Sequence, residues 1–139
     1  MVASKFHEAI TRRLVEACRG ELQIKGVRAQ DITLVYVPGA FEISLAAMTL
    51  AKRKNIDAVI CLGAIIKGDT YHFHLIALET ARGIAQAALT TGKPVIFEVL
   101  ATETMGQAKQ RSQSKGRNKG QDAALAALEM IDLLSQLKQ

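Results

Sequence analysis

The segment best suited to chemistry runs from Lys67 to His74 and joins an apolar, strand-like run to a helical pattern. At such a junction, free backbone N–H groups and the helix dipole favour an anion. Thr70 adds a hydroxyl donor, and the imidazole of His72 can exchange protons near neutral pH. The ordinary interpretation is that Asp69 and Thr70 only cap the helix. His72 and His74 lack a third ligand at suitable spacing, so we expect no metal site.

A second candidate segment runs from Val37 to Glu42, where another strand-like run ends in a Pro38-Gly39 turn. Glu42 at a helix start ordinarily compensates the helix dipole. Its functional alternative is to accept hydrogen bonds from a polyhydroxy ligand. Phe41 is either a core residue or an aromatic wall, and periodicity does not decide between these interpretations.

The third candidate is a basic run between positions 109 and 119 that contains no acidic residue: Lys109, Arg111, Lys115, Arg117 and Lys119. The run has no interleaved aromatic side chains, which would stack on nucleic-acid bases. It is either a solvated loop, a nucleic-acid stripe or a phosphate site, in which Arg111 is suited to a bidentate contact. The net charge of +5 also favours an anionic partner. A phosphorylated small molecule fits these features better than nucleic acid does.

Alternating strands and helices must position these segments. The pattern predicts strands over residues 32–37, 58–66 and 95–100, and helices over residues 10–22, 43–50, 75–90, 104–110 and 121–137. Apolar strands separated by helices are typical of a parallel sheet covered on both faces, which makes a three-layer α/β/α sandwich. Ligands then bind beyond the carboxyl ends of the strands, where loops 38–42, 67–74 and 101–104 lie. Only residues 1–4 precede the first helix, so we expect a truncated first strand.

Length and composition predict one globular domain, residues 1–139. The 15.0-kDa chain is 49% hydrophobic and 22% charged, a balance that can bury a core. The longest apolar run, Ala58 to Ile66, is too short to span a bilayer, so we expect no membrane partner. The sequence has only Cys18 and Cys61, no CxxC motif and no secretion signal, which predicts a cytoplasmic protein.

Five motifs occur in a familiar order: Pro38-Gly39-Ala40-Phe41-Glu42-Ile43, Gly68-x-Thr70-x-His72-Phe73, Pro94-Val95-Ile96-Phe97, Lys115-Gly116-Arg117-Asn118-Lys119-Gly120 and Ala123 to Met130. Together they resemble the 6,7-dimethyl-8-ribityllumazine synthase family, from Val2 to about Leu134. Agreement of several motifs in order and spacing is far more specific than any one of them. The resemblance implies a flavodoxin-like sheet.

The resemblance also implies a reaction. The family condenses 5-amino-6-(D-ribitylamino)uracil with 3,4-dihydroxy-2-butanone 4-phosphate in riboflavin biosynthesis, releasing phosphate and water without a metal or redox cofactor. His72 corresponds to the general acid/base, and Arg111 to the phosphate-binding arginine. The loop at Asp69 and Thr70 adds phosphate contacts, and Phe6 corresponds to the aromatic residue that stacks on the pyrimidine.

Further contacts are implied at positions that match the family's substrate-binding turn and strand end: Ala40, Phe41, Glu42, Ala64, Ile65 and Ile66. Phe97 matches an aromatic residue contributed across a subunit boundary, and Lys119 is a possible support for the phosphate. His74, Glu98 and Gln110 depart from the family pattern. His74 removes a carboxylate near His72, Glu98 stands where glycine is common, and Gln110 leaves Arg111 less neutralised.

Assembly is the last implied property. In the family, five subunits form a ring with active sites between neighbours, and some rings build shells. The usual N-terminal arm does not precede Val2 here, so we expect a homopentamer or a pair of pentamers rather than a shell. The alternative function is a non-catalytic assembly or flavin-binding protein of the same fold.

Overall fold

The computed structural model describes residues 1–113 and 116–137. Within these ranges four strands alternate with five helices and one 3-10 turn. In chain order they are β1 (Val2–Ser4), α1 (Glu8–Ile24), the 3-10 turn (Ala29–Asp31), β2 (Val35–Val37), α2 (Ile43–Ala51), β3 (Val59–Ile66), α3 (His72–Thr91), β4 (Val95–Thr102), α4 (Met105–Arg111) and α5 (Lys119–Leu137). None of these helices is both long and apolar enough to cross a membrane.

The strands form one parallel sheet in the order β2-β1-β3-β4. β3 and β4 pair along their whole length, from Val59 opposite Val95 to Ile66 opposite Thr102. β1 has only three residues, as expected, and lies between β2 and β3. The prediction of a parallel, flavodoxin-like α/β/α sandwich is confirmed.

Two apolar clusters cover the two faces of the sheet. On one face, α1 presents Ile10, Leu14 and Cys18 at helical spacing, and these residues pack with the alanines of α5. On the other face, α2 and α3 pack against the sheet, with Ile43 and Ile84 fully buried. The helices predicted over residues 10–22 and 43–50 therefore each bury one face against the sheet.

Among the boundaries that differ from the prediction, two differ because of strand pairing and one because of a helix cap. β2 begins at Val35 rather than residue 32, because three-residue β1 offers it only three partners. β4 continues to Thr102 rather than residue 100, because β3 offers it partners up to Ile66. α5 begins two residues earlier than predicted, where the side-chain oxygen of Asn118 accepts a hydrogen bond from the backbone N–H of Gly120 at 2.8 Å.

The contact between α1 and α5 depends on the absence of a side chain at Gly120. A Cβ at this position would lie 2.1 Å from the carbonyl oxygen of Leu14, which is backbone and cannot rotate away. We expect Gly120→Ala to lower the free energy of unfolding by about 1–3 kcal/mol, the usual cost of overpacking. Urea unfolding at fixed protein concentration measures the difference.

Gly20 provides the matched control, because it lies inside α1 and a Cβ there would meet no atom within 4 Å. Gly20→Ala should raise the free energy of unfolding by about 0.5–1 kcal/mol through helix propensity alone. Equal effects of the two substitutions would contradict the close helix contact at Gly120.

Candidate functional site

A cleft of about 540 Å³ opens where the carboxyl ends of β1, β2 and β3 meet, a volume typical of small-molecule sites. Nine residues expected at the site line it: Phe6, Ala40, Phe41, Glu42, Ala64, Ile65, Ile66, Thr70 and His72. Five further residues line it: His7, Gly39, Gly68, Phe73 and Ile76. Gly39, Gly68 and Phe73 belong to the motifs named above, whereas no sequence signal pointed to His7 or Ile76. The sheet therefore brings three distant loops to one cleft.

The loop before α3 leaves hydrogen-bond donors free at the edge of the cleft. α3 begins at His72, earlier than the predicted residue 75, and its N-cap is Tyr71. The interpretation of Asp69 and Thr70 as capping residues is wrong, because in this described loop no side chain caps α3. Within the described chain, the backbone N–H groups of residues 69–73 make no backbone hydrogen bonds. Such a helix start favours an anion.

Glu42 stands at the start of α2 and at the edge of the cleft. It is the N-cap residue of α2, and its Oε2 atom accepts a hydrogen bond from the backbone N–H of Gly39 at 2.9 Å. A Cβ at Gly39 would lie 3.0 Å from that oxygen, so a larger residue here would push the Glu42 carboxylate aside by a few tenths of an ångström. The carboxylate thus closes the turn and also lines the cleft.

Two exposed aromatic rings form the apolar wall of the cleft. Phe6 is 68% exposed and Phe41 is 55% exposed, although both are hydrophobic. The backbone N–H of Phe6 donates to the carbonyl of Pro38 at 3.2 Å, which fixes Phe6 beside the turn after β2. Below the rings, Ala64 and Ile65 are buried at the end of β3. Phe41 is therefore part of the wall and not of the core.

Four expected site residues lie outside the lining of this cleft. Asp69 is exposed in the loop before α3, and Phe97 is 44% exposed on the edge strand β4. Arg111 ends α4, where its Nη1 atom donates to the Gln107 carbonyl at 3.3 Å. Lys119 begins α5. A single chain therefore brings together only part of the expected site.

Two cations of the basic run form ion pairs with an acidic residue that follows the run. Arg117 and Lys119 both pair with Asp122, at 2.7 Å to Oδ1 and 2.9 Å to Oδ2. Burial alone would raise the pKa of Asp122, but the hydrogen bonds from these two cations bring it below its usual value. Lys115 lies outside the described residues. An acidic residue beyond the run thus neutralises part of its charge.

Glu98 is a half-buried carboxyl group on the face of β4 that is turned towards α5. Burial raises its pKa to about 7, while Lys119 lowers the pKa and Asp122 raises it. In the sequence, Glu98 stands out only as a departure from the glycine common at this position of the family. Its alternation with Ile96 and Leu100, which belong to the cluster under α1 and α5, is the signal that places it on this inner face.

Within residues 1–113 and 116–137, no group of three or more His, Cys, Asp or Glu side chains is arranged to hold a metal ion. His74 contacts aromatic rings instead, with ring centroids 5.2 Å from those of Tyr71 and Phe73.

The fold and the cleft define a class, a parallel α/β protein with a small-molecule cleft at the carboxyl edge of its sheet. The comparisons identify the family. The model of the 6,7-dimethyl-8-ribityllumazine synthase family matches residues 1–135. A 6,7-dimethyl-8-ribityllumazine synthase of Syntrophus aciditrophicus (strain SB) is 45% identical over 137 residues, covering 99% of this chain and 89% of the relative. The chain belongs to the 6,7-dimethyl-8-ribityllumazine synthase family, which confirms the resemblance.

The raised pKa of Glu98 predicts a specific dependence of stability on pH. The folded state binds this proton more tightly than the unfolded chain, whose carboxyl has the ordinary value of 4.5. The contribution of Glu98 to stability is therefore complete below pH 4.5 and is lost as the pH rises towards about 7. We expect Glu98→Gln to gain stability relative to the wild type across this window, as measured by urea unfolding at each pH.

Glu129→Gln is the matched control, because Glu129 is exposed on α5. Its difference from the wild type should stay constant over the same pH range. A constant difference for Glu98→Gln as well would contradict the buried, protonated state of that carboxyl group.

Proposed function

We propose that the cleft binds 5-amino-6-(D-ribitylamino)uracil and 3,4-dihydroxy-2-butanone 4-phosphate, which the chain condenses to 6,7-dimethyl-8-ribityllumazine. Membership of the family makes the chain a transferase of riboflavin biosynthesis. The observation that carries the assignment of the site is the convergence of nine expected residues on one cleft. We place the reaction in the cytoplasm, in keeping with two free, buried cysteines.

The phosphate of the four-carbon substrate binds at the start of α3. The free N–H groups of residues 69–73 and the dipole of this 20-residue helix favour a dianion there. Thr70 lines the cleft beside them and adds a hydroxyl donor, and Gly68 leaves room for the phosphate. Asp69 contributes to this phosphate site through its backbone N–H group.

The pyrimidine stacks on Phe6, whose exposed ring forms one wall of the cleft. The ribityl chain extends towards the turn at Ala40, Phe41 and Glu42. A carboxylate that accepts one backbone hydrogen bond through Oε2 retains its other oxygen for substrate hydroxyls. Residues 64–66, at the end of β3, pack against the pyrimidine ring.

His72 transfers protons between these two subsites. It is the first residue of α3, it is exposed, and it lines the cleft between the phosphate loop and the aromatic wall. Imine formation, phosphate loss and ring closure each require a proton to move, which an imidazole can do near neutral pH. Holding the two reactants together accounts for much of the rate, since it removes the entropy cost of a bimolecular encounter.

A neighbouring copy of the chain completes each cleft. Phe97 and Arg111 are exposed and lie outside the cleft of their own chain, and Lys119 begins a helix on the opposite face of the sheet from α3. Large apolar side chains are also exposed on α3, including Leu75 and Leu78. We therefore propose a homopentamer or a higher assembly, in which Phe97, Arg111 and, more remotely, Lys119 of one copy face the cleft of the next.

His72→Ala should lower kcat by about 10²–10⁴-fold and leave measurable activity, because substrate positioning survives without the proton shuttle. His74→Ala is the matched control, since His74 lies on the same helix but does not line the cleft. Lumazine fluorescence during turnover measures both variants. Wild-type turnover by His72→Ala would remove this imidazole from the mechanism. A wild-type protein that bound the ring without forming lumazine would be the non-catalytic relative instead.

Arg111→Ala should raise the KM for the phosphate substrate far more than the KM for the pyrimidine, because only the former carries the dianion. Lys109→Ala, an exposed cation on the same helix, should change neither KM value. Steady-state kinetics with one substrate varied at a time separates the two values. Equal effects on both would contradict a phosphate contact.

Mixed assemblies test whether the site is shared. When His72→Ala and Arg111→Ala chains are unfolded and refolded together in equal amounts, about a quarter of the interfaces should join two intact halves. Activity should then rise well above the average of the two separate variants. Activity equal to that average would show that both residues act within one chain.

A further inference from the structure

His7 has an unusual backbone conformation beside the cleft. Its φ and ψ angles are 56° and 44°, and it is the sole non-glycine residue with positive φ in the described ranges. This left-handed region costs a residue with a Cβ about 1–2 kcal/mol. The carbonyl of His7 accepts hydrogen bonds from the N–H groups of Ile10 and Thr11, so its backbone starts α1.

The side chain of His7 does not offset this conformational cost by capping α1. In the described start of α1, it makes no capping hydrogen bond. It lines the cleft instead, and its ring meets the ring of Phe6 edge-on, with centroids 4.7 Å apart and planes at 73°. The backbone beneath both rings is fixed, because Lys5 and Phe6 donate hydrogen bonds to the end of β2. The imidazole therefore stands at the border of the exposed Phe6 ring.

The charge state of His7 limits the ligand group that it can bind. Partial burial lowers its pKa, so the ring is neutral at neutral pH and offers one N–H donor and one nitrogen acceptor. A neutral imidazole suits the edge of a uracil ring, where carbonyl and N–H groups alternate. It is less suited to a phosphate, for which the free N–H groups at the start of α3 are available.

We infer that His7 is a specificity-determining residue, whose imidazole hydrogen-bonds to the polar edge of the pyrimidine stacked on Phe6. This inference rests on the proposed function and extends it to a residue of the cleft without an assigned role. His7 would thereby select a ring with hydrogen-bonding groups at that edge over an equally flat but apolar ring. The strained backbone serves to hold the imidazole there.

Two substitutions separate the side chain from the backbone. His7→Gly removes the imidazole and tolerates the left-handed conformation, so its midpoint of thermal unfolding should not fall below that of the wild type. His7→Asn also tolerates this conformation and restores a neutral donor and acceptor. Isothermal titration of the assembled proteins with 5-amino-6-(D-ribitylamino)uracil measures affinity without turnover.

We expect His7→Gly to weaken pyrimidine binding by about tenfold, the value of one hydrogen bond, and His7→Asn to recover most of that loss. The KM for the phosphate substrate should stay unchanged in both variants. Wild-type affinity in His7→Gly, or equal weakening in the glycine and asparagine variants, would overturn the role of His7 while leaving the proposed function intact. A wild-type protein that failed to bind the pyrimidine would overturn both.

Discussion

The cleft depends above all on β1, a three-residue strand held between two neighbours. Val2 pairs with Val35 on one side and with Cys61 on the other. The fit to β3 is close, because a Cβ at Gly63 would lie 2.7 Å from the Oγ atom of Ser4. This arrangement sets the end of β1 between the ends of β2 and β3. After β1 the chain leaves the sheet, so Phe6 lies near the middle of the edge formed by the carboxyl ends of the strands.

Each subsite follows from where a parallel strand stops. The end of β1 supplies the aromatic platform, the end of β2 supplies the turn closed by Glu42, and the end of β3 leads into the free N–H groups before α3. A flat uncharged ring, a chain of hydroxyls and a phosphate differ in what they require: stacking, hydrogen-bond acceptors and positive potential. The sheet offers these three environments side by side, which suits the proposed binding of two chemically different reactants in one cleft.

Local signals in the sequence determined most of the fold. The alternation of apolar strand-like runs with helical patterns predicted the parallel sheet and its two covered faces, because periodicity reports the environment of each residue. Boundaries set by partners were missed, as at β2, whose length is limited by β1. The sequence also did not predict the ion pairs of Arg117 and Lys119 with Asp122, because spacing along the chain does not show which cations a carboxylate contacts. The sequence gives no signal for the conformation of His7, because a left-handed residue is recognisable from sequence mainly when it is a glycine.

Arg111 lies outside the cleft of its own chain, and the direction of α4 explains its position. α4 follows the end of β4, where Glu103 pairs with Lys67 at 2.7 Å, and Arg111 lies six residues along this helix from Met105, about 9 Å further on. Within residues 1–113 and 116–137, its guanidinium donates to the carbonyl of Gln107 and to no other group. The positive N-terminal end of α3 would repel a cation held permanently beside it while no anion is bound. If the cation comes from another copy, the phosphate can bridge two chains, and substrate binding then depends on assembly. In the proposed assembly, a site divided between copies would couple the chemistry of the cleft to the quaternary structure.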